Sequence, residues 1–348
     1  MAQTNKMSSK KINSFTVLTT TFVFICSFSI HTQAEAQTAV QTISPTIAPL
    51  ETSTAPSVIW PNIKAESAFV YNPLTNNVLY SKNPDEPRPT ASLLKIMTAD
   101  TVNKILNAAP YLANKQITIL NTKVENTADA MLKPDTKWLP ADLVQYMLIG
   151  SSNRAAESLA SGIIPRSSFI SLMNYHARNM GLSKTFFTGP SGLNGEGTST
   201  AREIAKMFWQ TIEQNPGLLD ITRKENAVFN MGAGIDVNSP IFTNASTPSI
   251  TDLTKSTLIV NNTNKIISSL PIVFGKTGFT DSAGGNLAIV TQTNERANPY
   301  VTVVMGSTVD ERFTDVSALA STTSQLDILF KALITASGSS TTPSISLK

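Results

Sequence analysis

The sequence predicts an α+β fold, an antiparallel sheet flanked by helices, whose strands come from distant parts of the chain. Three observations lead there: β-rich runs stand near both ends of a stretch of about 280 residues, helical patterns fill its middle, and no repeat or linker interrupts it. At its start, Ala68-Phe69-Val70-Tyr71 and Val78-Leu79-Tyr80 flank the turn formers Asn72-Pro73 and Asn76-Asn77, which is a hairpin pattern. A helix is expected over 92–106, after the breaker Pro89, and another over 140–149, with Pro140 in its first turn and Gly150 as its stop. A third covers 167–180. Thr200-x-x-Glu203 is a capping-box signature opening a fourth helix, which Asn215-Pro216-Gly217 ends. Residues 271–276, 286–293 and 300–307 are β-rich runs joined by polar turns, and 326–335 reads as a closing helix.

With 41% hydrophobic residues in 348, the chain can bury a sizeable core. Its 27 basic and 24 acidic side chains form no basic stripe, so nucleic acid is not an expected partner. Lys6, Lys10 and Lys11 precede an apolar run over 15–30, and Ala34-Glu35-Ala36 follows as a cleavage pattern, so residues 1–36 read as a signal peptide. The run is short of the roughly 20 apolar residues that span a bilayer, and no membrane anchor is expected after cleavage. The only cysteine, Cys26, would leave with the leader; Ile25 stands before it where a lipoprotein would carry a small residue. Residues 37–57 are rich in Thr, Pro, Ala and Ser with Glu51 as the sole charge, which predicts a flexible stalk, and 337–348 predicts a similar tail. One domain, 58–336, remains, and it owes nothing to disulfides.

Its chemistry has to manage almost without histidine. His31 lies in the leader, and His176 shares a helical face with Phe169, Leu172, Met173 and Met180, which places it in the core or at its boundary. One histidine and no cysteine leave only an all-carboxylate metal centre, for which no clustered Asp/Glu spacing is present, and no cofactor is expected. Ser92-Leu93-Leu94-Lys95 offers another route: i and i+3 share a helix face, so a neutral Lys95 amine can take the Ser92 proton. Alone this pattern is weak, since about two Ser-x-x-Lys matches arise by chance in such a chain and Ser8 to Lys11 is one. Ser151-Ser152-Asn153 follows a helix stop, where a hydroxyl and an amide can face a cleft, although Ser and Asn are also ordinary helix starters. Lys276-Thr277-Gly278 closes a β-rich run, and a strand edge with a cation, a hydroxyl and a glycine suits a peptide ending in carboxylate.

Taken in order, Ser-x-x-Lys, Ser-x-Asn and Lys-Thr-Gly resemble the penicillin-recognising serine enzymes. More closely, 56–308 resembles the low-molecular-mass penicillin-binding proteins, the serine D-alanyl-D-alanine carboxypeptidases of peptidase family S11. The resemblance extends to 89–99 around Ser92, Gly181-Leu182, Gly189-Pro190-Ser191-Gly192-Leu193, Ser199-Thr200-Ala201, Asn262-Thr263-Asn264 and 275–280. It implies a β-lactamase/transpeptidase-like fold with a helical lobe. It also implies a secreted enzyme of the cell envelope, in the periplasm or on the extracellular wall face, that trims the terminal D-Ala of peptidoglycan stem peptides and is inhibited covalently by β-lactams. Ser92 would be the nucleophile and Lys95 its base. Backbone N–H groups of Ser92 and Phe279 would form the oxyanion hole. Ser151 would protonate the leaving nitrogen, and Asn153 would bind the substrate backbone and order Lys95. Lys276 and Thr277, with Gly278 beside them, would hold the terminal carboxylate, the charge of Lys276 also helping to keep Lys95 neutral.

Arg154 and Asn72 stand where the family commonly has Asp, and the stretch 227–258 is longer than usual. Arg154 puts local packing or substrate preference in question. The alternatives are a D,D-endopeptidase of peptidoglycan cross-links, a class A-like β-lactamase with Glu196, Glu203 or Glu213 as the activating carboxylate, and a catalytically silent peptidoglycan-binding module.

Overall fold

A computed structural model describes residues 58–230, 257–293 and 297–337, all within the unit Thr54–Lys348. The leader, the stalk, residues 338–348 of the tail and most of the long stretch 227–258 lie outside the described residues. The chain enters through the hairpin β1 (Ser67–Asn72) and β2 (Asn77–Lys82), then β3 (Arg88–Pro89). Asn72 Oδ1 accepts from the N–H groups of Leu74 and Thr75, so the amide closes this turn as an aspartate would. A 3-10 turn over Ala91–Leu94 leads into α1 (Lys95–Ala108), followed by β4 (Ile117–Thr118), α2 (Thr127–Met131) and β5 (Lys137–Trp138). The lobe continues with α3 (Pro140–Gly150), α4 (Asn153–Ile163) and α5 (Arg166–Asn179). Then come β6 (Phe186–Phe187), β7 (Gly197–Ser199), α6 (Ala201–Gln214), α7 (Gly217–Thr222), β8 (Asn226–Asn230) and β9 (Thr257–Asn261). Strands β10 (Ile272–Thr280), β11 (Gly284–Thr291) and β12 (Tyr300–Ser307) return to the first sheet, and α8 (Glu311–Ser337) ends the described chain.

The five-stranded sheet has the order β10-β11-β12-β1-β2 and is antiparallel throughout. β1 thus lies inside the sheet, with Ser67 opposite Met305 and Tyr71 opposite Val301. Period-2 alternation sorts its side chains onto two cores. Phe69 and Tyr71 join Phe274, Val303 and Met305 in the core shared with the helical lobe, whereas Ala68 and Val70 join Leu287, Ile289 and Val304 under Phe313, Val316 and Leu319 of α8. Helices on both faces explain why all six residues of β1 are buried.

Three local expectations are adjusted. Gly150 is the last residue of α3, and Ser151 takes the left-handed cap conformation at φ +58°. Thr200 Oγ1 caps α6 by accepting from Glu203 N at 3.1 Å, but the Glu203 carboxylate turns instead to Lys184 N and Thr185 Oγ1, so only half of the capping box forms. Lys276-Thr277-Gly278 sits inside β10, which runs on to Thr280, rather than closing it. His176 is half-buried, with Nδ1 3.3 Å from Thr101 Oγ1, and burial holds its pKa below the usual imidazole range. No described helix is long and apolar enough to cross a membrane.

Candidate active site

Edge strand β10, the 3-10 turn before α1 and the α3–α4 junction meet around a cleft of roughly 730 Å³. Ser92, Ser151, Asn153, Thr277, Gly278 and Phe279 line it, with Lys95 and Lys276 buried behind them. The eight residues given catalytic or binding roles by the resemblance therefore lie around one place. Ser92 follows Ala91, a non-glycine residue at φ +45°, and Ser151 is itself at φ +58°. Backbone strain of this kind persists only where surrounding structure enforces it. Here Asn286 supplies part of the enforcement: Nδ2 donates to the carbonyls of Pro89 and Thr90 at 3.0 and 3.1 Å, while Oδ1 accepts from Gly306 N. Gly278 permits the approach of β10, because a Cβ there would lie 3.1 Å from both Ser92 N and Thr90 O.

Lys95 Nζ has three contacts: Ser92 Oγ at 2.6 Å, Asn153 Oδ1 at 2.7 Å and Ser191 O at 2.5 Å. Two of these are carbonyl oxygens, which can only accept. A neutral amine gives them its two protons and leaves its lone pair for the Ser92 hydroxyl, which is the arrangement a base requires. With no carboxylate in contact, burial brings the Lys95 pKa down to about 7, against the pull of Asp129, Glu196 and Glu157. Lys276 Nζ donates to Ser151 Oγ at 2.8 Å and to Thr277 O at 3.1 Å. Its pKa is lowered well below the lysine range by burial first, then by the Lys95 and Arg312 cations. Burial is the leading cause at both lysines.

Some contributors were not assigned a role from sequence. Thr263 Oγ1 lies 2.6 Å from Thr277 Oγ1. Arg312 Nη1 donates to Gly278 O at 2.7 Å, which fixes the peptide plane whose other end is the Phe279 N–H. Asp129, wholly buried, accepts from Ser152 Oγ, Asn153 Nδ2 and Arg154 N at 2.7, 3.4 and 3.0 Å. Arg154 itself points away from the cleft; its guanidinium donates to the carbonyls of Thr122, Asp129 and Leu132 and holds the segment carrying Asp129. None of Glu196, Glu203 and Glu213 lines the cleft; Glu125 does, paired to Lys123 at 2.9 Å.

A family model described as D-alanyl-D-alanine carboxypeptidase, Peptidase S11, matches residues 51–309. The chain belongs to this family. As an S11 member it is a serine peptidase, a hydrolase of D-alanyl-D-alanine carboxypeptidase or endopeptidase type acting on peptidoglycan. Among its relatives, the D-alanyl-D-alanine endopeptidase of Escherichia coli (strain K12) is 32% identical over 261 residues, 73% of this chain and 75% of that protein. The D-alanyl-D-alanine carboxypeptidase DacC of the same organism is 29% identical over 272 residues, 74% of this chain but only 61% of its own length. Penicillin-Binding Protein D2 from Listeria monocytogenes, solved in an ampicillin-bound form, superposes with a TM-score of 0.62 at 25% identity, over 75% of this chain and 99% of that one. The α+β fold with its antiparallel sheet and helical lobe is that of the penicillin-binding S11 enzymes.

Proposed function

We propose that the chain is a serine D-alanyl-D-alanine carboxypeptidase that releases the terminal D-Ala of peptidoglycan stem peptides through an acyl-enzyme on Ser92. The observation that carries this reading is the 2.6 Å contact between Ser92 Oγ and a buried Lys95 amine whose other two partners are carbonyl oxygens. Ser92 Oγ attacks the penultimate D-Ala carbonyl as its proton passes to Lys95. The oxyanion forms against the N–H groups of Ser92 and Phe279. When the C–N bond breaks, Ser151 gives its proton to the departing nitrogen and is reprotonated from the lysine side of the site. Water then cleaves the ester and frees the shortened peptide. Lys276 and Thr277 hold the terminal carboxylate. The same serine accepts β-lactams.

The test is intact mass over time after adding a penicillin, with Ser92→Ala in parallel. A persistent adduct on the wild type alone is expected. Rapid penicillin consumption without a lasting adduct would point to a β-lactamase, and neither adduct nor consumption to a silent binding module. A second reading, D,D-endopeptidase, is favoured by the 32% identical relative named for that activity, whose length this chain covers better than that of DacC. Chromatography of products from a pentapeptide and from a cross-linked dimer separates the two. We also propose secretion to the cell envelope with loss of residues 1–36, so that N-terminal sequencing of the mature protein begins at Gln37.

A further inference from the structure

The acceptors that hold Lys95 are each held in turn by a carboxylate that does not touch it. Asn153 Oδ1 faces Lys95 because Asn153 Nδ2 faces Asp129 Oδ2, and an amide cannot present oxygen on both sides. Ser191 O faces Lys95 because the turn carrying it is wrapped around Glu196: Oε2 accepts from Ser191 N, Ser191 Oγ and Gly192 N at 3.2, 2.5 and 2.9 Å. The wrapping is close, for a Cβ on Gly189 would fall 2.1 Å from the Glu196 carboxyl carbon. Both carboxylates are anchored from outside. Arg154 N donates to Asp129 Oδ1, and Arg166, bidentate to Glu157 at 2.8 and 3.0 Å, reaches Glu196 Oε1 at 3.4 Å.

We propose that Asp129 and Glu196 are paired positioning residues that aim the lone pair of Lys95 at Ser92, one through the Asn153 amide and the other through the Ser191 carbonyl. The inference rests on the acyl-enzyme reading above and adds a division of labour to it: the base is set by two neutral acceptors, and the charges that set them stand one bond further out. That distance matters chemically. A carboxylate touching Lys95 would hold it as an ammonium, whereas one acting through an intervening amide or carbonyl fixes geometry and leaves the amine free to lose its proton. The other charged groups around Lys95 are Lys276 from β10 with Arg312 from α8 behind it, and Glu157, which Arg166 neutralises.

The test measures the second-order rate of acylation by a penicillin, as a function of pH, for wild type, Asp129→Asn, Glu196→Gln and Glu203→Gln. Glu203 is a buried carboxylate bonded to Lys184 N and Thr185 Oγ1, away from the cleft, and controls for loss of stability alone. Asp129→Asn removes the acceptor that orients Asn153, and its acylation plateau is expected to fall about tenfold to a hundredfold. Glu196→Gln leaves a single oxygen where two serve Arg166 and the 191–192 turn, so the Ser191 carbonyl loses its fixed aim and the acylation plateau is expected to fall severalfold. Loss of the negative charge should also bring its acid limb about half a pH unit lower than in the wild type. Glu203→Gln should lower the melting temperature without moving the limb. The inference is overturned if Asp129→Asn or Glu196→Gln keeps the wild-type plateau, since a shifted limb alone is what a bystander charge gives, or if Glu203→Gln lowers the plateau equally. Because Ser92→Ala tests the acyl-enzyme separately, loss of the adduct there with unchanged profiles here would sink this inference alone.

Discussion

Lys95 is a fully buried amine with three hydrogen-bond partners, none of them charged. Acylation needs the neutral form, so its rate should rise with pH along a limb near 7, the value to which burial brings this group. Lys95→Arg keeps the cation but cannot give up its proton at working pH, and acylation should drop by about 10²- to 10⁴-fold. The same group leaves a mark on stability. Unfolded, the amine keeps its proton to about 10.5; folded, only to about 7. Across that window the unfolded chain binds the additional proton, so stability rises with pH and is lost again as pH falls towards 7. Urea midpoints should climb between pH 7 and 9, and more shallowly in Lys95→Met. Ser92 and Lys95 are legible in the sequence because nucleophile and base lie three residues apart on one turn. Asp129 and Glu196 are not, because each is an isolated acid, one in the short α2 and one in a loop, joined to Lys95 only by folding.

At the scale of elements, the decisive junction is that of α2 with α4. Asp129 of α2 meets the start of α4, and Arg154 of α4 returns three hydrogen bonds to carbonyls around α2. Arg154→Met would leave those buried carbonyls unmet, at a cost of about 2–4 kcal/mol in denaturant unfolding. Arg154→Asp should cost more, since it sets a second carboxylate beside Asp129 with no cation between them. The hairpin, α1, α3, α5 and α6 follow from periodicity and caps to within a few residues. Two strands of inference fall short for physical reasons. Gly278 reads as a strand end, yet it continues β10 because the absent side chain is what lets Ser92 approach. The first half of α8 hides its helix because Arg312 and Asp315 are buried for polar work: Asp315 accepts from Lys64 N, Ala65 N and Ser307 Oγ, and so breaks the apolar pattern.

For the whole molecule, α8 is the lid on one of the two cores. Phe313, Val316, Leu319 and Ala320 cover the face made by Ala68, Val70, Ile289 and Val304, each large side chain contributing about 1.5–3 kcal/mol of burial. A chain cut after residue 309 would keep every group that lines the catalytic chemistry except Arg312, yet it should show no cooperative thermal transition by calorimetry. The α+β class, the helices flanking the sheet and the joining of distant strands were readable from element order; that β1 would be buried on both sides was not, because it is too short for its lack of alternation to stand out. The pairing of Ser67 with Met305 also sets a timetable. At ribosomal speeds of about 5–20 residues per second, about 10–50 s separate the emergence of these two partners. Until the second arrives, the nucleophile segment has no completed sheet to rest on. The newborn polypeptide therefore cannot hydrolyse anything for most of its synthesis, and becomes a working peptidase only when its final strands and the helix that covers them are in hand.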